Sequence, residues 1–218
     1  MPTSVDAGRR APRRDATANR ESLLNAASAV LATAPDASLD AIARAAGLTR
    51  RSVYGHFANR DDLVLALIER GSARLNRTAG EAVHPDARIA LALLAARLWD
   101  AVAHVRLLAS MAVHDPYTAY AASALEPVRA GLRAIVARGA LDRTLRSDLD
   151  ADLVARLVEQ AAIAVLDEAD RLDPPAGRRI VMLATLGAAG LSWEQAGTLV
   201  DRSPELDPAA APAGEATA

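Results

Sequence analysis

A short run of cations and hydroxyl groups between positions 49 and 56 contains the residues best suited to chemistry. Such side chains bind phosphate oxygens and read base edges in DNA, and an arginine with two hydrogen bonds to a guanine discriminates against other bases by about 1–3 kcal/mol. The run predicts a helix that enters the major groove, with six residues on its outer faces: Thr49, Arg50, Arg51, Ser52, Tyr54 and His56.

The surrounding residues, 39–57, predict the elements that position this run. Apolar spacing indicates two short helices, the second capped by Thr49, and Gly47 between them supplies the positive φ of a tight turn. Ala43 is small enough for the helices to cross closely, and Val53 is placed to dock the second helix onto the first. This layout is a helix-turn-helix.

The same segment resembles the N-terminal part of the TetR family of transcriptional regulators. Four motifs carry the resemblance over about 50 residues: Leu-Leu and Ala-Ala at 23–27, Ile-Ala-x-x-Ala-Gly-Leu at 42–48, Val-Tyr-x-His-Phe at 53–57 and Asn-Arg-Asp-Asp-Leu at 59–63. The resemblance implies an all-α fold, in which an N-terminal three-helix helix-turn-helix head precedes a larger helical ligand-binding and dimerisation domain. It also implies a homodimer that a small molecule releases from DNA.

The resemblance further implies roles for single residues. Arg60 stands where the family usually has lysine, and either cation can contact a phosphate. The start of the recognition helix comprises Thr49, Arg50, Arg51 and Ser52. The sugar–phosphate backbone is expected to lie against Tyr54, His56 and Arg60. Ser38, as the cap of the preceding helix, is expected to add a phosphate contact.

The composition fits a helical protein whose positive charge is local. Alanine makes up about a quarter of the 218 residues and aromatic residues 3%, which favours helices over strands. All 25 basic residues are arginine and the net charge is −2, so DNA affinity must come from a local patch. The absence of cysteine excludes disulfides and thiolate sites and fits a cytoplasmic protein, and no segment predicts a membrane span.

Changes in composition along the chain predict four regions. Asn59 is expected to cap the fourth helix, Pro127 to kink or split a helix over 117–138, and Gly139 to begin a polar connection. The regions are a disordered basic arm (1–15), a TetR-type helix-turn-helix DNA-binding domain (16–75), a helical ligand-binding and dimerisation domain (76–202) and a disordered tail (203–218).

Aromatic, methionine and histidine residues concentrate near the middle of this aromatic-poor chain. They are either ordinary core residues or the lining of a cavity for a small-molecule effector. No metal is predicted, because the histidines are not spaced as ligands on one helix face, and no cofactor is expected. The candidate ligand-binding residues are Trp99, His104, Met111, His114, Tyr117 and Tyr120.

Two helices near the C-terminal end, over 150–170 and 175–190, have wide apolar faces with many small residues. Such faces fit two internal helices, but the family resemblance implies that both helices pair with their copies in a second chain as a four-helix dimer interface. Glu159, Asp167 and Arg178 are placed to decorate its rim.

These features predict a DNA-binding transcriptional regulator, a repressor that a small-molecule effector releases from a near-palindromic double-stranded operator. One alternative is an activator of the same fold. The other is a helical enzyme that uses the C-terminal cavity, which is disfavoured because no nucleophile, phosphate-loop or dinucleotide motif is present. The expected partners are operator DNA, the effector and a second copy of the chain, with no membrane.

Overall fold

The computed structural model describes residues 11–102 and 117–207, with side chains from residue 18 onward. These residues form helices and no strand, which confirms the all-α prediction. The ten α-helices are α1 (Ala11–Thr33), α2 (Leu39–Ala45), α3 (Arg50–His56), α4 (Arg60–Gly80), α5 (Ala87–Val102), α6 (Thr118–Ala124), α7 (Glu126–Leu141), α8 (Ala151–Asp167), α9 (Pro174–Ala188) and α10 (Trp193–Arg202), with 3-10 turns at Ala169–Arg171 and Pro204–Leu206.

The chain divides into two compact units. The first, here called the head unit, comprises Met1–Gly71 and Val105–Ala121, and the second comprises Ser72–His104 and Ala122–Ala218. The predicted boundary after residue 75 lies close to the first division, but residues 117–121 cluster with the head unit and not with the predicted ligand-binding domain. The physical reason is that Tyr117 and Ala121 are buried in the head-unit core.

The helix starts of the head unit follow the predicted caps. The Ser38 hydroxyl accepts a hydrogen bond from the Ala41 amide at 3.3 Å, and the Thr49 hydroxyl accepts one from the Ser52 amide at 3.2 Å. Asn59 Oδ1 accepts from the amide of Asp62 at 2.8 Å. These bonds satisfy amides that the first turn of a helix leaves without a partner.

The second unit is organised around α5, which is buried on most sides and packs against α7 and α9. α8 packs against both α7 and α9. Pro127 lies in the first turn of α7, directly after α6 ends at Ala124, so the predicted split is confirmed. Gly190 has a φ of +104° and ends α9, and Ser192 with Gln195 forms the predicted capping box of α10.

Three predicted loop or disordered segments are helical instead. Residues 11–15 belong to α1, since Pro12 suits a first helical turn and alanine and arginine favour helices. α7 continues through Gly139 to Leu141, because the bare Cα of Gly139 lets the buried Leu145 pack against it. Of the predicted tail, residues 203–207 are ordered and anchored by the buried Leu206, whereas residues 208–218 lie outside the described residues.

None of the helices within the described ranges is both long enough and apolar enough to cross a membrane.

Candidate DNA-binding site

The core of the head unit fixes α3 from one side and leaves its other side in solvent. Val53 of α3 is fully buried with Ile42 and Ala43 of α2. Gly47 joins the two helices with a φ of +66°, and no atom lies within 4 Å of where its Cβ would stand. Glycine is needed there for its backbone conformation and not for space.

The predicted DNA-contacting residues lie on the solvent side of α2 and α3. Tyr54 is 48% exposed, and Ser52 and His56 are half-buried. Because Val53 is the only buried residue of α3, its docking decides which faces remain outward. The exposed members of the predicted set are Ser38, Thr49, Arg50, Arg51 and Tyr54.

Arg50 is exposed but already has an ionic partner on α2. Its Nε donates to Asp40 Oδ1 at 2.7 Å, and its Nη2 donates to Asp40 Oδ2. Sequence reasoning missed Asp40, because an acidic residue in the first turn of a helix is explained by the helix dipole alone.

Arg51 and Arg44 are the exposed cations of α2 and α3 that have no hydrogen bond or ion pair in the described structure. Arg44 lies in the last turn of α2 and was also missed by sequence reasoning. Its position three residues before Gly47 was the available signal, since it places a cation close to the turn. Both guanidiniums have all their donors available for phosphate or base oxygens.

Arg60, which is predicted to contact the sugar–phosphate backbone, also has partners within the protein. It is half-buried, its Nε donates to the Ala37 carbonyl at 3.2 Å, and its Nη2 donates to the Pro35 carbonyl at 2.5 Å. These bonds tie the start of α4 to the connection between α1 and α2. Arg60 therefore supports the framework of the site with two of its donors.

Two further cation contacts stabilise the head unit. Phe57 is 4% exposed, and the Arg20 guanidinium lies 5.3 Å from the centre of its ring, which is the geometry of a cation–π contact. Arg70 of α4 donates to Asn25 Oδ1 of α1 at 2.8 Å. Both contacts fix α1 against the elements that carry α3.

The structure describes three of the predicted ligand-binding residues, Trp99, Tyr117 and Tyr120. Trp99 is buried in the second unit, where its indole N–H donates to the Pro174 carbonyl at 3.2 Å. Tyr117 and Tyr120 belong to the head unit. His104, Met111 and His114 lie outside the described residues.

Tyr117 is a core residue of the head unit with a satisfied hydroxyl. It is 8% exposed, and its hydroxyl donates to Asp61 Oδ1 of α4 at 2.6 Å. Burial, together with this carboxylate, raises the pKa of the Tyr117 hydroxyl. Tyr120, by contrast, is 40% exposed.

A depression of about 430 Å³ lies on the surface of the second unit. Trp99, Tyr117 and Tyr120, the predicted ligand-binding residues within the described ranges, do not line it. Within the described ranges, no group of three or more acidic or histidine residues is arranged to hold a metal ion. The lining residues are Arg88, Glu194, Gln195, Thr198, Leu199, Arg202 and Ser203.

Comparison with known proteins agrees with this geometry. Residues 23–67 match the model of the bacterial regulatory proteins of the tetR family, a range that covers α2, α3 and parts of α1 and α4. No curated protein matches the chain.

Solved structures share the fold over both units. The TetR family regulator PfmR from Thermus thermophilus is 18% identical and aligns with a TM-score of 0.63 over 79% of this chain and 96% of its own. The ketosteroid regulator KstR2 of Mycobacterium tuberculosis is 20% identical, with a TM-score of 0.62 over 79% and 95%. FadR from Bacillus subtilis, solved in complex with stearoyl-CoA, is 16% identical, with a TM-score of 0.66 over 77% and 98%.

The matched N-terminal segment, the exposed polar face of α3 and the shared all-helical fold lead to one assignment. Residues 23–67 form the N-terminal segment of the tetR family of bacterial regulatory proteins, and the chain shares the all-helical fold of solved TetR family regulators.

Proposed function

We propose that the protein is a homodimeric repressor that places α3 of each copy in the major groove of a near-palindromic operator, from which a small-molecule effector releases it. Such a regulator acts in the cytoplasm. The observation that carries the proposal is the outward polar face of α3, held by the buried Val53. Two copies reading successive grooves require half-sites one helical turn apart, roughly 34–36 Å.

The roles within the face follow from donor chemistry. Arg50 and Arg51 are assigned to guanine edges, because each can offer a two-donor fork to one base. Tyr54, His56 and Ser38 are assigned to the sugar–phosphate backbone, where hydroxyl and imidazole donors bind without regard to sequence. Contacts of the first kind set operator choice, and contacts of the second kind set overall affinity.

Selection of duplexes from a random pool, followed by binding measurements, tests the DNA-binding part. Arg51→Ala should weaken operator binding about 10- to 100-fold and random-duplex binding much less, since one base-reading arginine contributes about 1–3 kcal/mol of discrimination. Arg171→Ala serves as the control, because it removes one exposed arginine from the second unit. Equal losses on operator and random DNA from Arg51→Ala would contradict base reading.

The proposed dimer interface is the outer face of α8 and α9. Leu153, Leu157 and Ile180 remain 37%, 41% and 38% exposed on these packed helices. Exposed small residues, Ala164 and Gly187, continue the two stripes at helical spacing. A stripe of this kind on each of two adjacent helices supports a four-helix pairing with a second copy.

Light scattering on the purified chain tests the interface. Leu157 is 41% exposed, which corresponds to about 70 Å² of accessible surface. Burying this surface on both copies stabilises the dimer by at most about 3.5 kcal/mol, at about 25 cal/mol/Å². Leu157→Glu removes this burial and places a charge in the interface, so it should give monomers at micromolar concentration. Leu141→Glu is the control, since Leu141 is 87% exposed in the same unit. A Leu157→Glu protein that stays dimeric contradicts this interface.

Effector release is the third part of the proposal. It is supported by the apolar helices of the second unit and by the structural likeness to FadR, which was solved in complex with stearoyl-CoA. An effector can release the operator only if it binds the released conformation more tightly, because equal affinity for both conformations shifts nothing.

Stearoyl-CoA is therefore the first probe, and anisotropy of a labelled operator is the readout. Release that saturates with stearoyl-CoA but not with free coenzyme A supports an effector with a long apolar chain. Retention of the operator at saturating stearoyl-CoA rejects this class of effector and leaves the DNA-binding part intact.

A further inference from the structure

The ion pair between Arg50 and Asp40 joins the recognition helix to the helix before it. Asp40 lies in the first turn of α2, and Arg50 is the first residue of α3. The side chain of Asp40 is 26% exposed, whereas that of Arg50 is 73% exposed. The carboxylate is thus the more covered partner, and most of the guanidinium surface faces solvent.

The geometry of the pair determines which arginine donors remain. A guanidinium carries five N–H donors in a rigid plane. Asp40 takes the edge formed by Nε and Nη2 of Arg50. The Nη1–Nη2 edge, with one hydrogen on each nitrogen, and the remaining Nη1 hydrogen have no partner among the described residues.

The open edge is the part of an arginine that can bind a guanine end-on. Two parallel N–H groups on Nη1 and Nη2 match the O6 and N7 acceptors of guanine in the major groove. An unsupported arginine side chain must lose the freedom of several torsions to reach that pose. Asp40 fixes the plane of the guanidinium before DNA arrives, so less freedom is lost on binding.

Stability does not account for the pair. An exposed ion pair contributes little to folding, because water screens it and two side chains must be ordered. The negative charge of Asp40 also lies beside the face that the proposed function brings to DNA phosphates, where it opposes binding of any duplex. Neither folding stability nor general DNA affinity therefore explains the pair.

We propose that Asp40 is a specificity-determining positioning residue, which holds Arg50 so that its Nη1–Nη2 edge reads one guanine in each half-site. This inference rests on the proposed function, because it needs α3 in the major groove. It assigns Asp40 no contact with DNA.

The test uses the full-length protein, its selected operator and the operators substituted at each base pair. Asp40→Asn should lower the preference for one G·C pair in each half-site about tenfold, a part of the discrimination that one arginine–guanine fork supplies. Binding to random duplex should stay equal or rise, because a negative charge is removed. Asp36→Asn is the matched control, since it removes an exposed carboxylate from the same unit without touching Arg50.

Two further variants separate positioning from a general structural role. Arg50→Ala should remove the preference at the same base pair, and the double variant with Asp40→Asn should behave as Arg50→Ala alone. Arg50→Lys keeps the charge and leaves α2 unchanged, but it lacks the fork, so it should lose the same preference even if Asp40→Asn folds poorly.

Two results would overturn the inference and leave the proposed function standing. An Asp40→Asn protein with an unchanged base preference and a uniform rise in affinity would make Asp40 only a nearby charge. A sharper preference would show that Asp40 withholds Arg50 from DNA. If the wild-type chain selects no duplex at all, the proposed function fails and this inference fails with it.

Discussion

Gly177 of α9 provides the sharpest test of the core of the second unit. A Cβ added at this position would stand 2.0 Å from Cζ2 and 2.5 Å from Cη2 of Trp99. The Trp99 ring is 5% exposed, packed with Ala169 and Val181, and anchored by its hydrogen bond to the Pro174 carbonyl. Gly177→Ala can therefore be accommodated only if a buried indole moves by more than 1 Å.

The expected cost follows from opposing contributions. Alanine in place of glycine favours a helix by about 1 kcal/mol. Overpacking a core costs about 1–3 kcal/mol, and a displaced indole N–H left without its carbonyl costs about 1–3 kcal/mol more. We expect Gly177→Ala to lower the free energy of unfolding by about 3 kcal/mol in total, within a range of about 1–5 kcal/mol.

Urea unfolding at one fixed protein concentration measures this difference, because the stability of an associating protein depends on concentration. Gly131→Ala is the control: Gly131 lies within α7 of the same unit, no atom lies within 4 Å of its added Cβ, and the substitution should stabilise by about 0.5–1 kcal/mol. If Gly177→Ala is as stable as the wild type or more stable, Trp99 has room to move, and the ring lines an open cavity and not a packed core.

The head unit yields two smaller predictions. Asn59→Ala removes the cap of α4 and should destabilise the head by about 1 kcal/mol in thermal unfolding; an unchanged melting temperature would show that Asn59 contributes no net stability as a cap. Tyr117→Phe removes the hydroxyl whose pKa is raised by burial and by Asp61. The pKa of Tyr117 in the folded protein lies above the unfolded value of about 10. The contribution of this hydroxyl to the free energy of unfolding is therefore fully present below about pH 10 and is lost as the pH rises through the folded pKa. The free energy of unfolding of Tyr117→Phe should therefore fall less steeply above about pH 10 than that of the wild type. Tyr120→Phe, which changes an exposed side chain, should follow the wild type. Identical pH dependence for all three proteins would contradict the role of burial.

Local signals explain why so much of the fold could be predicted from the sequence. The caps at Ser38, Thr49 and Asn59 act within three residues along the chain. The positive φ of Gly47 and the helix start at Pro127 likewise depend on the chemistry of single residues. The helix-turn-helix is built almost entirely from such signals, so its elements and its buried Val53 follow from spacing.

Contacts between distant residues explain what could not be predicted. Arg178 was expected on the rim of a dimer interface, but it is buried, pairs with Asp100 at 3.0 Å and donates to the Leu206 carbonyl at 2.6 Å. Glu159, also expected on the rim, accepts from Arg129 at 2.8 Å. The two partners of Arg178 lie 78 and 28 residues away along the chain. Helix periodicity carries no information about partners so distant in sequence.

The aromatic residues show the same limit of prediction from sequence. A cluster in the sequence suggested a ligand cavity, yet Trp99 and Tyr117 lie in different units, and each gives its polar hydrogen to a protein acceptor. Because only 3% of the residues are aromatic, the few large rings are needed to fill the core volume that small alanine side chains leave empty. Closeness along the chain therefore does not distinguish the lining of a ligand cavity from hydrogen-bonded core residues.

The arginines of the head unit link these observations to DNA recognition. In the sequence they are equivalent positive charges. In the structure, Arg60 and Arg70 donate to protein oxygens, and Arg50 is bound on one edge only. Arg44 and Arg51 have no hydrogen bond or ion pair among the described residues. A lysine in place of Arg50 could satisfy Asp40 as a point charge but could not hold a second planar edge towards a base. The partial engagement of Arg50 thus leaves one side chain ordered by the protein and open on its Nη1–Nη2 edge, which a count of charges cannot reveal.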